Sequence, residues 1–335
     1  MNQLIKNHTL NKMPIVSQLS GPMSLTGHIS KVYDKIIYVF GEYHGRENEC
    51  NDEKAVNVNV FIKDLFRTTD VFIDFYHEVS KDPKLSEETH LDLIAKSFND
   101  CLKDKKMCPL GRYHYTDMRN LTHDFTFSNE FGYIWFGLQH LRFKVPSSTW
   151  TVVNHDTFIN LLNRYFNSTE TSESYLRYTS KNIDQVKMLS KELDRTYPKG
   201  IGKLIRKFLF QEEQQNVTRH LPHLQTIFPQ VMHDVMKDEW SSSLDFLANL
   251  LVLQNSSVLD VYLLARIFKK FKLNGDNNKP ETPHNIIIYA GNAHAERCRS
   301  FFRFLGFEKV ASATNVEGQE RCLEMSKFPQ PFFRL

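Results

Sequence analysis

The amino-acid sequence predicts an α/β fold, with a mostly parallel central sheet flanked by helices and a long helical insertion or cap. Two observations carry this prediction. Up to about residue 145, short apolar segments typical of buried strands alternate with segments of helical apolar period, as in a sheet with right-handed crossovers. After a long stretch with almost no strand signal, another strongly apolar run appears at residues 286–290. A chain of 335 residues is long enough to bury the core that this fold needs.

The composition is that of an ordinary globular protein, with 41% hydrophobic and 24% charged residues. A formal net charge of +3, without a dense basic patch and interleaved aromatics, gives no indication of a nucleic-acid partner. No run approaches the ~20 apolar residues of a membrane span, and residues 1–19 lack the apolar core of a signal peptide. We therefore expect a cytoplasmic protein with no membrane span and no nucleic-acid partner.

The cysteines are scattered and contain no Cys-x-x-Cys pair. This spacing indicates neither a zinc knuckle nor a disulfide framework, so reduced thiols are expected, as is usual in a cytosol-like compartment. The five cysteines are Cys50, Cys101, Cys108, Cys298 and Cys322.

The first part of the chain is predicted to be an N-terminal arm followed by strand–helix steps. Residues 1–30 are polar and weakly patterned, and they are assigned to the arm. Residues 31–145 form the first part of the α/β core. Its strands are expected at about residues 35–41, 70–76 and 112–119, and its helices at about residues 52–67, 87–102 and 129–143.

Residues 146–283 are predicted to form the helical insertion or cap, because helix-period apolar residues dominate there. The α/β core then resumes over residues 284–335, and its Phe-rich tail is expected to pack down or to bind a partner. The expected helices of the insertion cover residues 156–166, 182–193, 203–212, 243–253 and 258–271. The final core segment is expected to hold strands at 286–290, 308–313 and 321–325 and a helix at 295–305.

Two apolar runs end in the same pattern, Gly-x-x-His. They are residues 36–44 (IIYVFGEYH) and residues 286–294 (IIIYAGNAH). In a parallel sheet, ligands bind in the crevice outside the carboxyl ends of the strands. A glycine at this edge allows a sharp turn and the close approach of a substrate. We therefore expect the two motifs to meet in one site.

The polar residues of the two motifs suit acid–base or metal chemistry. Glu42 and His44 are two residues apart, so in an extended backbone both side chains point the same way, as a general acid–base pair or two metal ligands require. The alternative is a loop in which they only cap a helix or contact solvent. His294 lies at the start of the predicted helix, whose dipole favours the neutral imidazole that a base or ligand needs. Alternatively, His294 is simply a helix N-terminal residue with Asn292 as the N-cap.

Further charged residues follow the other strands. Asp74 lies inside an apolar run, where an unpaired carboxylate is costly, so it must be partnered or lie in the site crevice. Glu78 lies at the exit of the same predicted strand. Asp117 and Arg119 share a face by alternation, either as a structural pair or as a pair that orients a catalytic group. The candidate catalytic residues are Glu42, His44, Asp74, Glu78, Asp117, Arg119 and His294.

Paired Gly-x-x-His motifs with an acidic residue after the second strand resemble a group that includes the TIKI/TraB proteases, the erythromycin-esterase-like proteins and the haem-binding ChaN proteins. The GEYH at residues 41–44 is closest to the esterase-like and ChaN forms, and the GNAH at residues 291–294 matches the closing motif. The resemblance covers residues 31–145 and 284–325. The chain is also similar to proteins of large DNA viruses.

The resemblance implies a hydrolase, esterase or metalloprotease-like, that acts on a small-molecule, ester or peptide substrate with His44-activated water. TIKI-like members imply a divalent metal (manganese, cobalt or zinc), for which His44, Glu78 and His294 are the candidate ligands. The ChaN branch implies haem as the weaker alternative. The alternative function is a non-catalytic binding or virion/host-interaction protein on the same scaffold, in the host cytoplasm or the virion.

Overall fold

The computed structural model describes residues 13–43, 49–79, 89–103, 109–117, 130–150, 153–166, 200–271 and 279–334. Within these residues, nine strands form one mixed sheet that is accompanied by helices, which confirms the α/β class. The chain divides into two compact units, Met1–Asp117 with Arg266–Leu335, and Met118–Ala265. The second unit thus begins and ends earlier than the predicted insertion at residues 146–283.

The strands and helices are named here in chain order. The strands are β1 (Gln18–Ser20), β2 (Ser24–Ser30), β3 (Lys35–Glu42), β4 (Val56–Asn57), β5 (Ile73–His77), β6 (Gly111–Tyr115), β7 (Asn285–Gly291), β8 (Glu308–Val316) and β9 (Gln319–Glu324). The helices are α1 (Val58–Thr68), α2 (His90–Lys103), α3 (Glu130–Arg142), α4 (His155–Phe166), α5 (Ile201–Met236), α6 (Ser242–Ile267) and α7 (Asn292–Phe304).

The sheet order is β4-β1-β9-β8-β2-β3-β7-β5-β6. The four strands β3, β7, β5 and β6 are parallel, whereas β2, β8, β9 and β1 pair in antiparallel fashion. Both apolar motif strands, β3 and β7, lie in the parallel half and are buried on both faces, which is why their sequences are continuously apolar rather than alternating. The direct pairing of β3 with β7 places the two predicted motifs side by side.

The prediction of an irregular arm over residues 1–30 is wrong for its described part, because β1 and β2 both lie there. Strand β2 is internal and pairs with β3 and β8. Its sequence looks polar because buried polar side chains are bonded to one another. The Thr26 hydroxyl is 2.9 Å from His28 Nε2 and accepts a hydrogen bond from Arg299 Nε at 2.9 Å. Such partners from a distant helix cannot be inferred from the local pattern.

Several helix boundaries also differ from the prediction. The segments expected as separate helices at residues 243–253 and 258–271 are the single helix α6. The helix expected at residues 203–212 is the beginning of α5, which continues for 36 residues through two prolines. The helix expected at residues 182–193 lies outside the described residues. The second unit has a core of its own, which includes Leu138, Phe158 and Leu247.

The C-terminal tail packs onto the rest of the first unit. This was one of the two alternatives predicted for the tail. Phe332 is buried and stacks on Tyr38 of β3 at a centroid distance of 4.1 Å. The backbone N–H of Phe333 donates to the Tyr38 hydroxyl at 3.3 Å. The tail therefore extends the core formed by α1, α2 and the sheet.

The expectation of reduced thiols is wrong for one cysteine pair. Cys50 and Cys322 form a disulfide across a sequence separation of 272 residues. Spacing could not reveal this pair, because only the fold brings β9 next to the segment that follows β3. Cys298 is buried and is not part of a disulfide. None of the described helices has the length and apolar character needed to cross a membrane.

Candidate functional site

The carboxyl ends of β3, β5 and β7 bring polar side chains from distant parts of the chain to one edge of the sheet. The register aligns Glu42 with Gly291 and His77 with Tyr289. Glu78 directly follows β5, and His294 lies in the first turn of α7. The sequence prediction that the two motif strands deliver their residues to a common edge is therefore confirmed for Glu42 and His294.

Glu78 connects β5 to the beginning of α7. Its Oε1 lies 3.3 Å from His294 Nε2, and its Oε2 accepts a hydrogen bond from the backbone N–H of Gly291 at 2.6 Å. The Glu78 backbone N–H donates to the Tyr289 carbonyl at 3.0 Å. With exposed fractions of only 4% for Glu78 and 9% for His294, the pair is a buried, oriented unit.

The N-cap of α7 is Gly291, so the alternative interpretation of Asn292 as the N-cap is wrong. Instead, the Asn292 Oδ1 accepts a hydrogen bond from the Ser24 hydroxyl at 2.8 Å, across β3. A Cβ added at Gly41 would lie 2.3 Å from Asn292 Oδ1 and 2.5 Å from Ser24 Oγ. The first motif glycine is therefore needed for the close approach of neighbouring side chains, whereas β3 continues through it without a turn.

Glu42 is a buried carboxyl group, only 2% exposed, at the end of β3. Neither of its oxygens has a hydrogen-bond partner among the described residues. The Tyr289 hydroxyl interacts with this carboxyl group without reaching hydrogen-bond geometry. Burial raises the pKa of Glu42 to about 7, and the neighbouring Tyr289 and Arg321 oppose part of that rise. Glu42 can therefore both hold and release a proton near neutral pH.

His77 contributes a neutral imidazole to the same face of the sheet. Its Nδ1 is 2.5 Å from the Tyr113 hydroxyl, and its ring meets the Tyr289 ring edge-on at 5.6 Å. Complete burial lowers the pKa of His77 to about 3, and Glu78 opposes part of this effect. Its Nε2 has no hydrogen-bond partner among the described residues. His77 is not among the candidate residues that the sequence predicted.

A second cluster surrounds the partly buried Glu49, next to the disulfide. Glu49 Oε1 is 2.8 Å from His90 Nε2 and 3.8 Å from Arg321 Nη1. The backbone of Glu49 forms an isolated bridge with that of Arg321. Cys50 directly follows Glu49, and Cys322 directly follows Arg321. The disulfide between the two cysteines therefore holds Glu49 and Arg321 beside each other.

No protein-family model, no curated protein and no solved structure matches this chain.

Asp74 is partnered and is not brought together with Glu42 or Glu78. Its carboxylate accepts hydrogen bonds from Arg112 Nε at 2.6 Å and Nη2 at 3.2 Å, and its Oδ1 is 2.8 Å from His114 Nε2. Along β5, Asp74 points to the face opposite to that of His77. Of the two interpretations that the sequence left open for Asp74, the structure shows the structural partnership.

The remaining predicted site residues are Asp117, Arg119 and His44. Asp117 lies two residues past the end of β6, because the strand is shorter than predicted, and its backbone N–H donates to the Val79 carbonyl at 3.2 Å. Arg119 and His44 both lie outside the described residues, so the predicted Asp117–Arg119 pair and the predicted Glu42–His44 pair stay predictions.

Two of the three predicted metal ligands, Glu78 and His294, are in contact, and the third is His44, outside the described residues. A carboxylate oxygen and an imidazole nitrogen are ligands that zinc and related divalent ions accept. In the part of the chain that the structure describes, no group of three or more His, Cys, Asp or Glu side chains could hold a metal ion. A metal site of three protein ligands at this position would therefore need a ligand from outside the described residues, and His44 is the one that the sequence predicts.

Five residues of the two clusters were not selected from the sequence: His77, Tyr289, Glu49, His90 and Arg321. Tyr289 could have been found, because it lies two residues before the motif glycine and so shares a face with the strand end. No local sequence pattern marks Glu49, His90 and Arg321 as candidate site residues, because only tertiary contacts bring them together near the candidate site.

Proposed function

We propose that this chain is a hydrolase whose active site lies at the carboxyl ends of β3, β5 and β7. The observation that carries the proposal is the buried Glu78–His294 pair beside Glu42, a carboxyl group without a hydrogen-bond partner among the described residues. General acids and bases work best when their pKa lies near the operating pH, and burial raises the pKa of Glu42 to about 7. A carboxylate that orients an imidazole is a recurrent device of hydrolytic sites.

In the proposed reaction, His44 takes a proton from the attacking water, as the GEYH motif and its resemblance to esterase-like proteins imply. The water oxygen adds to the substrate carbonyl, and Glu42 in its protonated form donates a proton to the departing alkoxide or amine. His294, whose ring Glu78 holds in place, would stabilise the developing negative charge. The substrate class is an ester or peptide.

In an alternative form of the proposal, His44, Glu78 and His294 would hold a divalent metal, and His44 would then be a ligand instead of the base. Such an ion would supply a Lewis acid for the substrate carbonyl. Elemental analysis of the purified wild type and of the His44→Ala/His294→Ala variant tests this part directly. Near-stoichiometric metal that is lost in the double variant supports it, whereas metal-free wild-type protein contradicts it and leaves acid–base hydrolysis.

Hydrolysis is tested with p-nitrophenyl esters and with fluorogenic peptides. Replacement of His294 by Ala and of Glu78 by Gln is expected to lower kcat/KM at least 100-fold, because each removes one member of the oriented pair. His284→Ala is the matched control, because this histidine lies at the opposite end of β7 and its side chain is 44% exposed. Normal hydrolysis by folded His294→Ala protein would contradict the mechanism.

The second candidate function is that of a non-catalytic binding protein on the same scaffold. The observation that favours it is burial, because Glu42 and Glu78 expose only 2% and 4% of their surfaces. A pure binding protein should show no turnover with either substrate class, and its variants at Glu78 and His294 should change affinity for a ligand instead. Metal-free, inactive wild-type protein would make this candidate the stronger one.

A further inference from the structure

In the interior of the first unit, the two terminal nitrogens of the Arg321 guanidinium have no hydrogen-bond partner among the described residues. The side chain is only 3% exposed. Its Nε donates to the Gly21 carbonyl at 2.9 Å, but neither Nη1 nor Nη2 has a hydrogen-bond partner among the described residues. Buried polar groups are almost always hydrogen-bonded, and a buried charge is costly without a bonded counter-ion. The four N–H groups on these two nitrogens therefore need an acceptor.

The acidic neighbour Glu49 does not meet this need. Glu49 Oε1 is 3.8 Å from Arg321 Nη1, which is beyond hydrogen-bond distance, and the same oxygen is 2.8 Å from His90 Nε2. Glu49 thus lowers the cost of burying the positive charge of Arg321, but it forms no hydrogen bond with Nη1 or Nη2. A planar fork of this kind matches the paired oxygens of a carboxylate or a phosphate.

The positive charge of the Arg321 guanidinium acts on two residues of the candidate active site. Its charge acts on Glu42 at the end of β3 and on Tyr289 in β7, both of which also have side-chain oxygens without hydrogen-bond partners among the described residues. Three strands from different parts of the sheet therefore direct unsatisfied polar groups to one buried region. Arg321 and Tyr289 supply donors, and Glu42 supplies one more in its protonated form, so a partner that satisfies all three is rich in acceptors.

The position of Arg321 is rigidly fixed. The Gly21 carbonyl holds its Nε, the backbone bridge to Glu49 holds its main chain, and the next residue, Cys322, is tied by the disulfide to Cys50. Such support is what a recognition residue needs, because binding is strongest when the donors are held in place before the ligand arrives.

We infer that Arg321 is the specificity-determining residue of this site and binds an oxyanion, the carboxylate or phosphate group of an anionic substrate or product. The assignment of that oxyanion to a substrate rests on the proposed hydrolase function. The binding site itself rests on the contacts of Arg321 alone.

The test is calorimetric titration of the full chain with inorganic phosphate and, separately, with acetate. The key variant is Arg321→Gln, whose amide nitrogen can replace Nε at the Gly21 carbonyl but which lacks both Nη groups. We expect wild-type protein to bind at least one of the two anions and Arg321→Gln to bind it at least tenfold more weakly. Arg303→Gln, at an exposed arginine of α7, is the matched control and should keep the wild-type affinity.

The outcomes separate the possible ligands and the two proposals. Binding of acetate alone identifies a carboxylate, and binding of phosphate alone identifies a phosphoryl group. Equal affinity of wild type and Arg321→Gln, or no binding of either anion by wild type, would overturn the inference.

If Arg321→Gln does not fold, the second variant is Arg321→Lys, which keeps the charge but loses the planar pair of Nη groups. We expect it to bind the anion at least threefold more weakly than wild type, and equal affinity would overturn the inference. Arg321-dependent binding without any hydrolysis would leave this inference standing while the hydrolase proposal fails.

Discussion

Glu78 and His294 are separated by more than 200 residues in the sequence, yet Glu78 Oε1 lies 3.3 Å from His294 Nε2. The other oxygen of Glu78 binds the backbone N–H of Gly291, the N-cap of α7. One carboxylate therefore positions both the imidazole and the helix that carries it. Because Glu78 follows β5 and Gly291 ends β7, this relationship exists only if the two strands are neighbours in the sheet, as they are.

Gly41 should not tolerate a side chain. A Cβ at this position would lie 2.3 Å from Asn292 Oδ1 and 2.5 Å from Ser24 Oγ. We expect Gly41→Ala to lower the free energy of unfolding by about 1–3 kcal/mol, which urea denaturation measures. In an Asn292→Ala background the added cost should be smaller, because one of the two clashes is gone. Equal costs in both backgrounds would show that the two residues do not compete for this space.

Asp74 should matter for stability rather than for catalysis. It is buried and bonded to Arg112 and His114, on the face of β5 opposite to His77. We expect Asp74→Asn to lower the free energy of unfolding by about 1.5–3 kcal/mol, the usual value for hydrogen bonds to charged groups. The control is Asp70→Asn, at an exposed ion pair with Arg334, for which a loss below about 1 kcal/mol is expected.

The same Asp74→Asn variant separates the two interpretations of this residue. Its kcat/KM on any substrate found should stay within a few-fold of the wild-type value at a temperature where both proteins are folded. A loss as large as that of His294→Ala would assign Asp74 to the catalytic machinery after all.

Acid should destabilise the protein through buried histidines. Burial lowers the pKa of His28 to about 4, helped by Arg299, and lowers that of His77 to about 3. Between about pH 6.5 and these values the unfolded chain binds more protons than the folded one, so stability falls as the pH falls. For His28 the loss by pH 4 is on the order of 3 kcal/mol, at about 1.4 kcal/mol for each unit. The raised pKa of Glu42 acts in the opposite direction between about pH 4.5 and 7.

Urea denaturation from pH 7 to pH 4 measures this slope. His28→Gln should show a shallower decline than the wild type, because the variant no longer buries an imidazole that must charge on unfolding. His284→Gln, at a half-exposed histidine, should decline as the wild type does. An identical slope in the His28 variant would contradict the assignment.

Reduction should destabilise the first unit. The Cys50–Cys322 disulfide links residues that are 272 positions apart, and it holds Glu49 next to Arg321. We expect dithiothreitol to lower the free energy of unfolding by about 2–4 kcal/mol, because the crosslink restricts the unfolded chain. Thermal denaturation with and without the reductant measures the effect. The Cys50→Ala/Cys322→Ala variant should be less stable and should not respond to reductant; a response of equal size would point to a different cysteine.

The sequence predicted the parts of the candidate site that depend on local pattern. Glu42, Glu78 and His294 were found because each follows an apolar strand, and the carboxyl ends of parallel strands necessarily meet at one edge. The strand signal failed for β2, because the partners that satisfy Thr26 and His28 include Arg299, which is remote in the sequence. The third strand was also predicted to be too long: β6 ends at Tyr115, so Asp117 lies beyond it.

The sequence by itself thus determined the α/β class and the convergence of the two motif strands, because apolar periodicity and strand-end placement are local properties of the chain. Only the tertiary structure decided that Asp74 is a structural partner of Arg112, that Cys50 is bonded to Cys322 and that the charge of Arg321 acts on Glu42. Each of these relationships joins residues that are distant in the sequence, or depends on which of several possible partners a buried charge meets. The two polar relationships depend on burial and charge in the folded state, and the disulfide depends on the fold bringing two remote thiols together, so no local pattern encodes them.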